Sequence, residues 1–317
     1  MHGRSGMSAR QPSQASTALF SHWTVVQYDA DMPGSMTADQ TEAFWRDGFF
    51  FPTPVLDREV ALDHADHFEA LRREFDGRLP RPFADYARTN FHMVSTRAAE
   101  LARHPAVLDR VESILGPDLL VWMVELIVKQ PHSDKILTMH QDLNYWGFDH
   151  ADREVTAWIA LTDVTVANGA MSFVRGSHRL GSVDHHDTYG ANNLLSRGQQ
   201  VSVEHDPADE VAVELAAGEI SLHHGLTFHG SGPNTTDGPR VALVVRYITP
   251  EMGKVGGKRD YAMLVRGADR HNQLIKVAGP ETDFADAQLA LHTEMDDAQL
   301  EALGDGATAE FGYTRGT

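Results

Sequence analysis

The chain has no cysteine among its 317 residues. That absence removes disulfides, thiolate metal sites, iron–sulfur clusters and cysteine nucleophiles together. Any metal must therefore be held by His, Asp or Glu. Basic residues are scarce as well: 27 Lys and Arg stand against 45 Asp and Glu, a net charge of −18 with His neutral. Nucleic acids and anionic membranes are gripped through clustered Lys and Arg, so neither is an expected partner. No apolar run approaches the ~18 residues of a membrane-spanning helix. The N-terminus lacks an apolar stretch followed by a small-residue cleavage site, and the expected location is cytoplasmic. What is present, 42% apolar and 23% charged residues, suits a soluble globular protein with a large core.

Residues 1–35 are rich in Ser, Gly, Gln and Ala without periodicity, and are expected to be disordered. Residues 36–317 read as one domain. Thr37-Ala-Asp-Gln40 is a capping-box pattern opening a helix that runs to about Asp47, where Gly48 stops it. Helical patterns cover roughly 57–75 and 97–115, the second ending at Gly116-Pro117. From about 119 the period changes. Segments rich in Val, Ile and Leu recur at 119–129, 135–140, 154–162, 170–174, 211–215, 219–224 and 240–249. Many short strands between turn residues predict a mainly β sandwich or barrel with flanking helices. The polar stretch 177–210 is long for a connection and suggests a lid or insert over a site. A helical extension is expected over about 283–303, with the last dozen residues loose.

Five His-x-Asp triplets occur: His64/Asp66, His132/Asp134, His140/Asp142, His150/Asp152 and His185/Asp187. Only His140-Gln-Asp142 closes a strand-like stretch, and residues i and i+2 of a strand share a face. The best third ligand is His229, 89 residues later, after the strand-like Gly218–His224. Two imidazoles and one carboxylate on one face form the facial triad of non-haem Fe(II) oxygenases, although the same ligands also suit Zn(II) in a hydrolase. Arg240 lies 11 residues beyond His229, where a guanidinium could grip a carboxylate with two parallel hydrogen bonds. An enzyme using an α-keto acid needs such a grip, whereas a zinc hydrolase does not. Arg246 is its rival, on the same face by parity.

Together these residues carry a family likeness. His140-Gln-Asp142, Asn168-Gly-Ala-Met-Ser-Phe-Val-Arg-Gly-Ser-His178, His229-Gly-Ser-Gly-Pro-Asn234 and Arg240 follow one another as in a known group. The chain resembles the phytanoyl-CoA dioxygenase-like branch of the Fe(II)/2-oxoglutarate-dependent oxygenases over roughly residues 37–250. The resemblance implies a double-stranded β-helix (jelly roll, cupin-like) with its core at about 119–250. It implies that His140, Asp142 and His229 hold Fe(II) and that Arg240, assisted by Ser231, binds the distal carboxylate of 2-oxoglutarate. Lys129 and Trp146 match positions near the co-substrate in some relatives. The implied reaction uses O2 and 2-oxoglutarate to hydroxylate an unactivated C–H bond of a small molecule, in secondary metabolism for example, releasing succinate and CO2. Relatives that halogenate carry Ala or Gly in place of Asp142, so hydroxylation is expected over halogenation. Arg197-Gly-Gln199 and His223-His224 nonetheless resemble halogenase-like relatives.

Other polar residues have plainer readings. Asn144 and Tyr145, following the ligands, are expected at the substrate. His223 and His224 point to opposite faces of one strand; one could line the cavity, but structural roles are expected for both. Ser177-His178 reads as a structural turn, and Asp184, His185, His186 and Asp187 as an exposed loop. A jelly-roll binding protein without turnover, or a Zn(II) hydrolase, would share much of this pattern. Nothing marks a CoA-binding site.

Overall fold

The computed structural model describes residues 34–190, 192–195 and 198–303; the side chains of 300–303 are not described. The expectations for residues 1–33, Arg197 and the last dozen residues therefore lie outside the described residues. Six helices are present among them: α1 (Ala38–Asp47), α2 (Arg58–Phe75), α3 (Phe83–Arg88), α4 (Thr96–Leu101), α5 (Pro105–Leu115) and α6 (Asp286–Leu303). The capping box forms: Thr37 accepts from the Gln40 N–H, Gln40 reaches back, and Gly48 ends α1 in the left-handed conformation. The single helix expected at 97–115 is two. His104 caps α5 in an extended conformation and Pro105 occupies its first turn, where a missing N–H does no harm but continuation from α4 is blocked.

The strands are β1 (Phe49–Pro54), β2 (Leu119–Lys129), β3 (Leu137–His140), β4 (Glu154–Ala160), β5 (Met171–Val174), β6 (His185–Asp187) and β7 (Gln199–Val201). They continue with β8 (Glu210–Val213), β9 (Glu219–His223), β10 (His229–Ser231), β11 (Arg240–Ile248), β12 (Tyr261–Arg266) and β13 (Ile275–Lys276). A seven-stranded sheet has the order β1-β9-β4-β11-β2-β12-β13, and a four-stranded sheet the order β3-β10-β5-β8. Sequence neighbours thus alternate between two facing sheets, the connectivity of a jelly roll. The polar segment 177–210 is not a plain loop, because β6 and β7 pair within it.

Parity along the large sheet separates its two faces. Val155, Ala157 and Ile159 of β4, with Val241, Leu243 and Val245 of β11, pack outward against Phe68 of α2, Leu101 of α4 and Val107 of α5. Trp158, Ala242 and Val244 face inward and meet Met171 and Phe173 of β5 and Val213 of β8. Each such buried side chain contributes roughly 1.5–3 kcal/mol of transfer free energy. The inner face is also where the polar residues of the site collect.

Candidate metal and co-substrate centre

β3 and β10 are neighbours in the small sheet, and His140 and His229 are register partners across them. His140 Nδ1 lies 2.8 Å from the Thr138 carbonyl oxygen and His229 Nδ1 lies 3.0 Å from that of Thr227. A carbonyl only accepts, so each Nδ1 carries a proton, and in a neutral ring Nε2 then presents a bare lone pair. These lone pairs converge on Asp142: His140 Nε2 is 3.3 Å and His229 Nε2 3.8 Å from its Oδ1. One ligand atom from each of the three residues lies within 4.8 Å of the others. Three acceptors facing one another with no proton between them repel, and a cation at their centre resolves that conflict. The donor set therefore fits a divalent metal.

Charge at the centre is held in the form a metal needs. Burial, then His140, pushes His229 down to about 4, keeping it neutral. Burial alone would raise the Asp142 carboxyl, yet the Arg246 guanidinium beside it holds it well below the ordinary carboxylate range. Arg246 Nη2 lies 3.6 Å from Asp142 Oδ2 and 3.3 Å from Glu125 Oε2, and its guanidinium sits 5.5 Å from the Trp146 ring centre. Oδ1 of Asp142 thus faces the imidazoles while Oδ2 faces a guanidinium.

A second charged cluster lies at the other end of β11. Arg240 is fully buried and is the register partner of Lys129 on β2. Lys129 Nζ donates to Ser231 Oγ at 2.7 Å and to the Gly232 carbonyl, and Arg240 donates to the Gly169 carbonyl and lies 5.1 Å from the Trp158 ring centre. Arg240 Nε has no hydrogen-bond partner. Burial, then Arg240, brings Lys129 down to about 7, and burial brings Arg240 down to about 10. Two buried cations meet here with no carboxylate among their contacts, which is the complement of a carboxylate ligand. Gly169 makes the approach possible: its φ is +85°, and a Cβ there would lie 2.6 Å from the Gly232 oxygen and 3.1 Å from Lys129 Cδ.

His140, Asp142, His229 and, from the second cluster, Arg240 line one cavity of about 1150 Å³, together with Trp122, Met123, Glu125, Tyr145, Trp146 and His223. Trp146, placed with the co-substrate by resemblance, packs on Trp122 at 5.0 Å and beneath Arg246. Tyr145 is on the cavity wall. The Asn144 amide instead contacts Gln141 Oε1, the Val183 carbonyl and His185 Nδ1 at 2.9–3.1 Å, tying the ligand loop to β6. His185, expected in an exposed loop, is half-buried and accepts from the Gln141 backbone N–H at 3.0 Å. Ser177 and His178 do form a structural turn: Ser177 Oγ accepts from the Phe228 N–H at 2.8 Å and His178 reaches the Trp45 carbonyl. Sequence reasoning missed Glu125, Thr156 and Ser221. Their common signal is inward parity on predicted strands, visible only once the inner face is known.

Residues 44–242 match the phytanoyl-CoA dioxygenase (PhyH) family. A probable phytanoyl-CoA dioxygenase of Caenorhabditis elegans is 32% identical over 161 residues, 48% of this chain and 51% of that protein. The chain thus spans about half the length of the first curated relatives it matches. An ectoine dioxygenase of Streptomyces avermitilis is 30% identical over 250 residues, 70% of this chain and 81% of the relative. Among solved structures, the non-heme monooxygenase ThoJ superposes with a TM-score of 0.76 at 35% identity, covering 84% of this chain and 98% of that one. Its nickel complex gives 0.73 at 34% identity, covering 85% and 100%. With the matched residues taking in His140, Asp142, His229, Lys129 and Arg240 and strands β1 to β10, the chain belongs to the phytanoyl-CoA dioxygenase family.

Proposed function

We propose that the protein is an Fe(II)- and 2-oxoglutarate-dependent dioxygenase that hydroxylates a C–H bond of a small molecule. One observation carries the reading: a cluster of facing acceptors shares one cavity with the buried Arg240, which stands beside a second buried cation, Lys129. The first suits a metal and the second the distal carboxylate of a dicarboxylate. His140, Asp142 and His229 would hold Fe(II); Arg240, Lys129 and Ser231 would hold 2-oxoglutarate. Bound iron supplies the redox chemistry that couples O2 and 2-oxoglutarate to substrate oxidation, with succinate and CO2 as co-products.

The protein's own part is placement and exclusion of water. Thr138 and Thr227 fix the imidazole tautomers, Arg246 orients the Asp142 carboxylate, and Lys129 positions Ser231. About 1150 Å³ exceeds the ~300–1,000 Å³ of ordinary ligand pockets, leaving room for a substrate beside the co-substrate. That substrate would lie against Trp122, Met123, Tyr145 and Trp146, with Glu125 and Arg246 as its polar contacts. Leu194, Leu195 and Gln199 line the same cavity and Arg88 donates to the Leu194 carbonyl, which supports a covering role for segment 177–210. Asp142 would occupy the coordination position that halogenating relatives leave open, which favours hydroxylation.

The test is succinate release from 2-oxoglutarate in air with Fe(II) and ascorbate. Turnover in the wild type and its loss in a folded Asp142→Ala variant are expected. Absence of 2-oxoglutarate turnover would overturn the reading, in favour of a zinc hydrolase if the protein retains zinc tightly, or of a binding protein if it does not.

A further inference from the structure

The register of the large sheet places His223 of β9, Thr156 of β4, Arg246 of β11 and Met123 of β2 side by side in one cross-strand row. Two residues along lies the next row, where Ser221 stands beside Trp158 and Trp158 beside Val244. Arg240 and Lys129 follow further along β11 and β2. Trp158 and Val244 pack against the small sheet, so by parity these rows all face inward. The inner face therefore runs from the buried cations to the level of the metal ligands.

Polar atoms on this face lack partners in a consistent way. Both ring nitrogens of His223, Thr156 Oγ1, Ser221 Oγ and Arg240 Nε are buried and without a hydrogen bond. His223 is 2% exposed, and Thr156 and Ser221 are fully buried. Elsewhere on the same sheet the outward residues are apolar and packed. Unsatisfied buried polar atoms are unfavourable; of these, His223 and Arg240 line the cavity, with Thr156 the register partner of His223, and this grouping points to a polar ligand. His223 also stands closest to the metal ligands: its ring centre is 4.9 Å from that of His229 and 5.0 Å from that of Phe173, and it lines the cavity.

A dicarboxylate anchored by Arg240 and Lys129 has a second polar end to satisfy. We propose that His223, with Thr156 beside it, forms the hydrogen-bonding subsite for the oxygen atoms at the metal end of the co-substrate. The inference rests on the 2-oxoglutarate reading above. His223 is then a binding residue and not a fourth metal ligand: it belongs to the large sheet, while His140 and His229 belong to the small one. Its companion His224 has different partners, 3.4 Å from Glu154 and 5.4 Å ring to ring from His178, so the two adjacent histidines have separate tasks.

The test uses the full chain, loaded anaerobically with Fe(II) and titrated with 2-oxoglutarate while visible charge-transfer absorption is followed. His223→Phe keeps an aromatic ring and removes both nitrogens; Thr156→Val keeps the shape and removes the hydroxyl. His223→Phe is expected to raise the 2-oxoglutarate dissociation constant roughly tenfold or more and to shift the absorption band. Thr156→Val should raise the constant by a smaller factor. Fe(II) affinity without 2-oxoglutarate should match wild type in both. Wild-type-like 2-oxoglutarate binding and an unshifted band in His223→Phe would make the ring mere packing and overturn the inference. So would a parallel loss of Fe(II) affinity, which would mean that His223 acts through His229. Should His223→Phe fail to fold, unchanged binding by Thr156→Val overturns the shared subsite. Failure of the wild type itself to bind 2-oxoglutarate would instead sink the underlying functional reading.

Discussion

Asp142 works in two directions, with Oδ1 toward the imidazoles and Oδ2 toward Arg246. Removing it would take away one of the three proposed metal ligands and leave a buried guanidinium without this partner. Asp142→Ala should therefore lose bound Fe(II) on dialysis while retaining its far-ultraviolet circular dichroism, and metal analysis checks this. At the other cluster, Arg240→Ala should weaken 2-oxoglutarate binding by about 2–4 kcal/mol, since charge-assisted bidentate contacts are among the strongest single interactions. Lys129 adds a pH signature. Burial and Arg240 bring it down to about 7, and only its protonated form attracts a carboxylate. The dissociation constant for 2-oxoglutarate should rise as pH climbs through about 7, and Lys129→Met should abolish that slope; calorimetric titration across the range decides it. The convergence of His140, Asp142 and His229 was legible because residue type, strand parity and the absence of cysteine all constrain it. His223 was not, because alternation says that one of His223 and His224 faces inward without saying which. Pairing of β9 with β4 settles that.

Elements with strong local signals were the easiest to read. The box at Thr37 and Gln40 and the stop at Gly48 are local chemistry, so the position of α1 follows from a dozen residues. By contrast, β1 carries two prolines, Pro52 and Pro54, and pairs only with β9 at the end of its sheet; proline is tolerated at an edge, where a missing donor breaks no ladder. β10 has three residues, too few for any period to show. Its place is set by pairing with β3 and β5, which is long-range information. Gly169 joins element to site. Gly169→Ala would force a left-handed φ of +85° on a side chain that also meets the Gly232 oxygen. It should lower the melting temperature and weaken 2-oxoglutarate binding together, whereas a purely structural loop would show the first effect alone.

Across the whole molecule, burial keeps several histidines neutral. His64, His104 and His224 are pushed down to about 4 and His92 to about 3, with burial the leading cause in each. In the unfolded chain they titrate near ~6.5. The unfolded state therefore binds more protons between these values, and stability present above ~6.5 is lost as pH falls toward ~4. Thermal melts should drop markedly between pH 7.5 and pH 5, before most carboxylates titrate. Net charge and composition, read directly from the chain, narrowed the class of partner. They could not place α6, whose Asp296 accepts from Thr89 and Asn90 across more than 200 positions. No helix among the described residues is long and apolar enough to cross a membrane.

The register match of His140 with His229 has a further effect. An ion held by both residues would staple two adjacent short strands, so occupancy would be written into backbone dynamics. Amides of Leu137–His140 and His229–Ser231 should exchange with deuterium more slowly once metal is added, while those of β12 on the far side of the large sheet should not respond. Exchange mass spectrometry would then report metal occupancy in a colourless state, before any co-substrate is present.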